Sequence, residues 1–191
     1  MELSKSEIEY YPEICNYLKD QLLRSLSTVD GFIVDFIPCG TIDLRSGLLK
    51  MLAVNKIEDE QLKSRADLTK GLYVDIAGMV YSMDAGKGEL VICEVKKGDL
   101  TLTHCSQLIG YCIAADIPYG LLISVDGGVT GGFESVLNQR PSLFKIDRLG
   151  MTHRIGICSW VDSRKLIFNR GAFRSMLEFG RGIGVGLTKM K

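Results

Sequence analysis

Apolar and polar positions along this chain change their period several times. Ile14, Leu18, Leu22 and Leu26 recur four residues apart, and Cys15 and Leu23 widen the stripe. That spacing describes one buried face of a helix. Pro12 stands just before the stripe and is expected to open the helix, since its missing N–H is tolerated in a first turn. The helix is expected to run to about Ser27. GFIVDFIP, residues 31–38, is short, β-branched and bounded by breakers, which predicts a strand. LYVDIAGMVYS (72–82) and ELVICEVK (89–96) predict two more. MDAGKG between them is rich in turn residues, so the two are read as an antiparallel hairpin. Leu108, Ile109, Cys112 and Ala115 then form another helical stripe. Asp116–Ile117–Pro118 ends it, because the residue before a proline resists the helical region. YGLLISV (119–125) is a further strand. A strand–helix–strand run of this kind makes its two strands parallel and its crossover right-handed.

Elsewhere the pattern is weaker. Residues 39–70 are read as an insertion in which NKIEDEQLKSRADL has the character of a partly solvated helix. GGVTGG (127–132) lacks the Gly-Lys-Ser/Thr ending of a phosphate loop, so it is read as a turn before a short helix. THRIGICSWV (152–161) and KLIFN (165–169) are late strands. RGAFRSMLEFGRG suggests a terminal helix halted by its glycines. With no internal repeat and no linker, the expectation is one α/β domain over residues 1–191. It has a mixed sheet flanked by helices, the 39–70 insertion, and a basic tail over 164–191.

The 191 residues carry 23 basic and 23 acidic side chains. Zero net charge excludes a global field toward polyanions, so an anionic partner needs a local patch. The segment from Val161 onward provides one, with seven basic residues against Asp162 and Glu178. It is read either as a solvated C-terminus or as a phosphate-contacting arm. Six scattered cysteines include no C-x-x-C pair, which gives zinc or iron–sulfur sites no spacing support. Cys93 and Cys112 lie in apolar runs and read as core. The first residues show no signal-peptide core, and no apolar run is long enough to span a bilayer. A reducing, cytoplasmic compartment with no membrane association is expected.

One strand ends oddly. In ELVICEVK, Leu90, Ile92, Glu94 and Lys96 share a face, and Val91, Cys93 and Val95 share the other. Both faces begin apolar, as in a central strand covered twice. Glu94 then falls at the rim, with Lys96 about 7 Å further along the same face. A structural ion pair is the simple reading. Asp75, however, interrupts the apolar run of the preceding hairpin strand in the same way. Antiparallel pairing brings the start of one strand beside the end of the next, so the two carboxylates face each other and each raises the other's pKa. A hard divalent cation relieves that conflict, with carboxylate oxygens and the Val95 carbonyl as ligands. Lys96 is then placed to orient or deprotonate a water, or to offset charge on a phosphate.

Asp75 followed nineteen residues later by Glu94-Val95-Lys96 resembles the motif of the PD-(D/E)XK nuclease superfamily. Val74 stands where a proline is usual. QLIGY, residues 107–111, is similar to the Q-x-x-x-Y pattern of the RecB-like and lambda-exonuclease-like branch. Gln107 and Tyr111 are four apart and share a helix face. The resemblance implies a restriction-endonuclease-like core and a Mg²⁺- or Mn²⁺-dependent DNA nuclease. Asp75, Glu94 and Val95 would bind metal, Lys96 would assist the water, and Gln107 and Tyr111 would line the site. It also implies an acidic residue on the first helix that completes the metal shell. Glu7, Glu9 and Glu13 are candidates, with Glu13 favoured if Pro12 begins the helix. It covers about residues 72–125 and allows a homodimer. The iron–sulfur subgroup is excluded because Cys158 is the only late cysteine. Two other readings stand beside it. One is a non-catalytic nucleic-acid-binding or assembly module with a retired nuclease site. The other is a sequence-specific restriction-like enzyme that uses the insertion and the C-terminal third for recognition. His104, at the start of the QLIGY helix, is read as a polar cap.

Overall fold

The computed structural model of the chain describes residues 5–26, 31–148, 150–161 and 165–188, with the backbone alone for Arg170 and Thr188. Expectations that fall on Ser27, Arg164, Lys189 or Lys191 lie outside the described residues. The structure is an α/β fold whose centre is a seven-stranded mixed sheet.

Helix α1 (Glu7–Leu26) precedes strand β1 (Phe32–Pro38). Helices α2 (Leu44–Val54) and α3 (Glu60–Asp67) follow. β2 (Ile76–Ser82) and β3 (Lys87–Lys97) form the hairpin, and α4 (Leu102–Ala114) leads to β4 (Tyr119–Val125). α5 (Gly131–Gln139) and a single 3-10 turn (Pro141–Phe144) come next. β5 (Lys145–Arg148), β6 (Met151–Val161), β7 (Lys165–Gly171) and α6 (Met176–Thr188) complete the chain. The strand order is β1-β2-β3-β4-β6, with β5 and β7 both paired to β6. The β1–β2 and β2–β3 pairs are antiparallel, β3–β4 and β4–β6 are parallel, and β5 and β7 run antiparallel to β6.

The two faces of the sheet carry separate apolar layers. α1 and α6 cover the face that presents Val91, Cys93 and Val95. α2, α3, α4 and α5 cover the face that presents Leu90 and Ile92. Double coverage explains the unbroken apolar run of β4, which is buried at all seven positions.

Four expectations are corrected. Pro12 does not open α1, because the helix begins at Glu7 and carries the proline inside it. The cost is one intrahelical bond, the one to the carbonyl of Ile8, a residue at the exposed end of the helix. The 39–70 insertion is ordered as two helices, each opened by an aspartate. Asp43 accepts from the Ser46 amide, and Asp59 from those of Gln61 and Leu62. Arg65 ties the insertion to the sheet through Glu89, at 3.2 Å from both terminal nitrogens. β2 begins at Ile76, so Asp75 immediately precedes the strand.

The glycine-rich stretch over residues 165–188 is also ordered and does not stop at its first glycines. Its first part is the strand β7, and α6 continues through Gly180, Gly182, Gly184 and Gly186. Phe179, Ile183 and Leu187, four residues apart, are buried and outweigh the poor helix propensity of the glycines. The glycines admit close neighbours. A Cβ at Gly180 would stand 2.6 Å from the Ser25 Cβ on α1.

Candidate active site at the β2–β3 rim

The hairpin register pairs Ile76 with Cys93. Extending it by one residue sets Asp75 opposite Glu94, as the sequence pattern implied. β2 has not begun at that point, so the Val95 N–H finds no strand carbonyl there. It donates to the Asp75 Oδ2 instead, at 2.7 Å. The N–H and C=O of a strand residue point to the same side. The Val95 carbonyl therefore faces the same side as Asp75.

Lys96 joins the two acids. Its Nζ lies 2.9 Å from the Glu94 Oε2 and 3.4 Å from the Asp75 Oδ2. The three side chains are 21% (Lys96), 3% (Glu94) and 17% (Asp75) exposed. Burial, followed by the charge of Asp75, pushes the Glu94 carboxyl up to about 7, against the pull of the ammonium. Burial works against the Lys96 charge, but the bond to Glu94 and the nearby acids outweigh it and hold the ammonium above its ordinary value. Lys96 is thus a cation at neutral pH, suited to donating rather than to taking a proton.

The first helix contributes residues that periodicity alone did not single out. The Tyr11 hydroxyl donates to the Asp75 Oδ1 at 2.6 Å. Burial, helped by that bond, drives its phenol well above the tyrosine range, so it remains a donor. Tyr11 sits at the head of the stripe that continues through Ile14, Leu18 and Leu22. A hydroxyl-bearing member at the end of an apolar stripe was the signal available in the sequence.

Glu7 also reaches the rim. Its Oε1 accepts the Lys97 N–H at 2.7 Å, and its charge adds to the upward pull on Lys96 and Tyr11. Glu13, favoured on the premise that Pro12 begins the helix, is paired with Lys5 at 3.0 Å and touches none of Asp75, Glu94 or Lys96. Because the helix starts at Glu7, all three glutamates lie on it, and Glu7 is the one hydrogen-bonded to the end of β3. Glu9 accepts the Ser6 N–H as a helix-start contact.

Helix α4 flanks the same face. Gln107 and Tyr111 do share a side of it, with Gln107 Nε2 3.0 Å from the Tyr111 hydroxyl. They bond to each other and to none of Asp75, Glu94 or Lys96. His104 closes a capping box with Thr101, as its position suggested. Burial, then the charge of Lys96, lowers its pKa, which keeps the imidazole neutral beside the site. The rim is shaped by a close crossing of loops. A Cβ at Gly127 would fall 2.3 Å from the Gly98 carbonyl carbon, so the stretches after β3 and β4 meet backbone to backbone.

All six cysteines are free and buried. Among the described residues no group of three or more His, Cys, Asp and Glu side chains is arranged to hold a metal ion. No helix there is long and apolar enough to cross a membrane. No family model, curated protein or solved structure matches the chain.

Proposed function

We propose that the chain is a divalent-metal-dependent deoxyribonuclease of the PD-(D/E)XK kind, built on a restriction-endonuclease-like core. The observation that carries this reading is the juxtaposition of Asp75 and Glu94 across the hairpin with the Lys96 ammonium within 3.4 Å of both. Two carboxylates at a sheet rim, one of them nearly buried, are costly unless cations meet them. One ammonium leaves two acidic charges half compensated. The donor set fits Mg²⁺ or Mn²⁺: hard carboxylate oxygens of Asp75 and Glu94 and the Val95 carbonyl, with Glu7, whose charge acts on Lys96, as a further acid at the rim. Such an ion, when bound, offers Lewis-acid stabilisation of charge on a phosphoryl oxygen.

The rest follows from the chain's own groups. Tyr11 and the Val95 N–H hold the two oxygens of Asp75 and so fix its orientation. Lys96, kept cationic, offers donors to the attacking water and to the negative charge that grows on the phosphoryl oxygens. His104 stays neutral at the mouth of the site, and Gln107 and Tyr111 present an amide and a phenol to the substrate from α4. The order of helix, strand, antiparallel hairpin, helix and parallel strand supports the same core.

The absence of a third close acid among the described residues favours one competing reading, a nucleic-acid-binding module with a retired site. Cleavage separates the two. Linear single-stranded and duplex DNA, incubated with the protein and Mn²⁺, is expected to be cut by the native chain and left intact by Glu94→Gln and Lys96→Ala. Cleavage unchanged in both variants, or binding without cleavage by the native chain, would overturn the nuclease assignment.

A further inference from the structure

Glu7, Tyr10 and Tyr11 stand at positions i, i+3 and i+4 of α1, so they share one face of the helix. Each bonds to a different strand end. Tyr11 holds Asp75, just before β2, and Glu7 holds the N–H of Lys97, the last residue of β3. The third bond lies beyond Asp75, Glu94 and Lys96. The Tyr10 hydroxyl donates to the Asp126 Oδ2 at 2.7 Å, across 116 residues of sequence. Asp126 directly follows β4. Because β2, β3 and β4 are neighbours in the sheet, the start of α1 crosses three adjacent strand ends with a bond to each.

The two sides of this crossing differ in rigidity. Asp126 follows a cross-tied backbone, in which the Gly98 N–H donates to the Val125 carbonyl at 2.8 Å and the Ser124 hydroxyl to the Gly98 carbonyl at 2.7 Å. Asp126 itself has φ +58°, in the left-handed region that aspartate and asparagine accept more readily than most side chains. The helix side is weaker. Pro12 has no N–H to give the Ile8 carbonyl, and Ile8 is 60% exposed, so the first turn lacks one backbone bond and gains little from packing there. The bond to Asp126, followed by burial, pushes the Tyr10 phenol up to about 12, so it keeps its proton at neutral pH and remains a donor.

We propose that Tyr10 and Asp126 are positioning residues of the rim: their bond anchors the start of α1 to β4 and thereby holds Tyr11 on Asp75 and Glu7 on β3. Tyr11 is the next residue in the chain, so it keeps its reach to Asp75 only while this turn is held in place. Outer partners of this kind set how well a carboxylate serves a metal ion. The effect on a metal ion rests on the nuclease reading, whereas the coupling of the three bonds does not.

The test is amide hydrogen exchange, followed by NMR on the full chain in EDTA. The Val95 N–H reports the Asp75 contact and the Lys97 N–H the Glu7 contact. In Tyr10→Phe, which keeps the buried ring, both are expected to exchange about tenfold faster, beyond any change at Leu122 in the middle of β4. Asp126→Asn keeps a side-chain acceptor and suits the left-handed backbone, so its rates should lie between those of the native chain and Tyr10→Phe. With Tyr11→Phe already in place, adding Tyr10→Phe should no longer change Val95 but should still speed Lys97. Calorimetric titration with Mn²⁺ is expected to show an affinity about tenfold lower in Tyr10→Phe than in the native chain. Rim amides that keep their native rates, or that speed up only as much as Leu122, would overturn the proposal, as would equal and measurable Mn²⁺ affinity in the two proteins. A native chain that binds no Mn²⁺ would instead overturn the metal site at Asp75 and Glu94, and the exchange rates alone would then decide the role of Tyr10.

Discussion

Glu94 concentrates the electrostatics of this molecule in one side chain. Its carboxyl titrates at about 7 in the fold against 4.5 in a free chain. Between those values the native state keeps a proton that the unfolded chain has released. Stability therefore falls as pH rises through that window. Urea unfolding at pH 5 and pH 7.5 is expected to show a lower midpoint at the higher pH, and Glu94→Gln should flatten the difference. Lys96→Ala removes the ammonium that, among the described residues, is bonded to this carboxylate. At pH 8 it should cost about 3–5 kcal/mol, the range for breaking one partner of a buried pair. The loss should shrink when Glu94→Gln is added, which a double-mutant cycle reads directly. Tyr11→Phe deletes a bond to a charged acceptor and is expected to cost about 1.5 kcal/mol, measured by the same unfolding curves. Of these residues, Asp75, Glu94 and Lys96 were legible because each breaks an apolar period. Tyr11 was hidden because it keeps the period of its helix and differs only by its hydroxyl.

Helices and strands obey propensity only where packing allows. Gly110 lies in α4 with open space where a Cβ would go, whereas Gly180 in α6 faces the Ser25 Cβ at 2.6 Å. Gly110→Ala is therefore expected to stabilise the protein by about 1 kcal/mol, the helix-propensity difference. Gly180→Ala should destabilise it by about 1–3 kcal/mol, since overpacking exceeds the same gain. Thermal melting of the two variants, shifted in opposite directions, checks the pair. α6 was expected to stop at its glycines because local propensity was all that could be read there. The deciding quantity is contact with α1, more than 150 residues earlier in the chain. The start of α1 was misplaced for the opposite reason: Pro12 looked like a boundary, and yet the first turn before it is held by Glu7 bonded to the end of β3.

At the scale of the whole molecule, the sheet brings the hairpin, the first helix and α4 to one rim, and function is expected to register there as linkage. If Asp75 and Glu94 hold a divalent ion, Mg²⁺ or Mn²⁺ at a hundredfold excess over its Kd stabilises the native state by about 2.7 kcal/mol. A Tm that rises with the ion in the native chain, and not in Asp75→Asn, is the expected result of differential scanning calorimetry. The sequence by itself determined the α/β character, the hairpin, the parallel β3–β4 pair and the pairing of Asp75 with Glu94. All of these rest on contacts near in the chain or on the two-residue period of a strand. Tertiary structure alone decided that Glu7 and not Glu13 approaches the rim, and that Tyr11 bonds Asp75. It also decided that α6 forms through four glycines. Each depends on where distant elements meet, and no local periodicity encodes the distance between segments that become neighbours only when the chain folds.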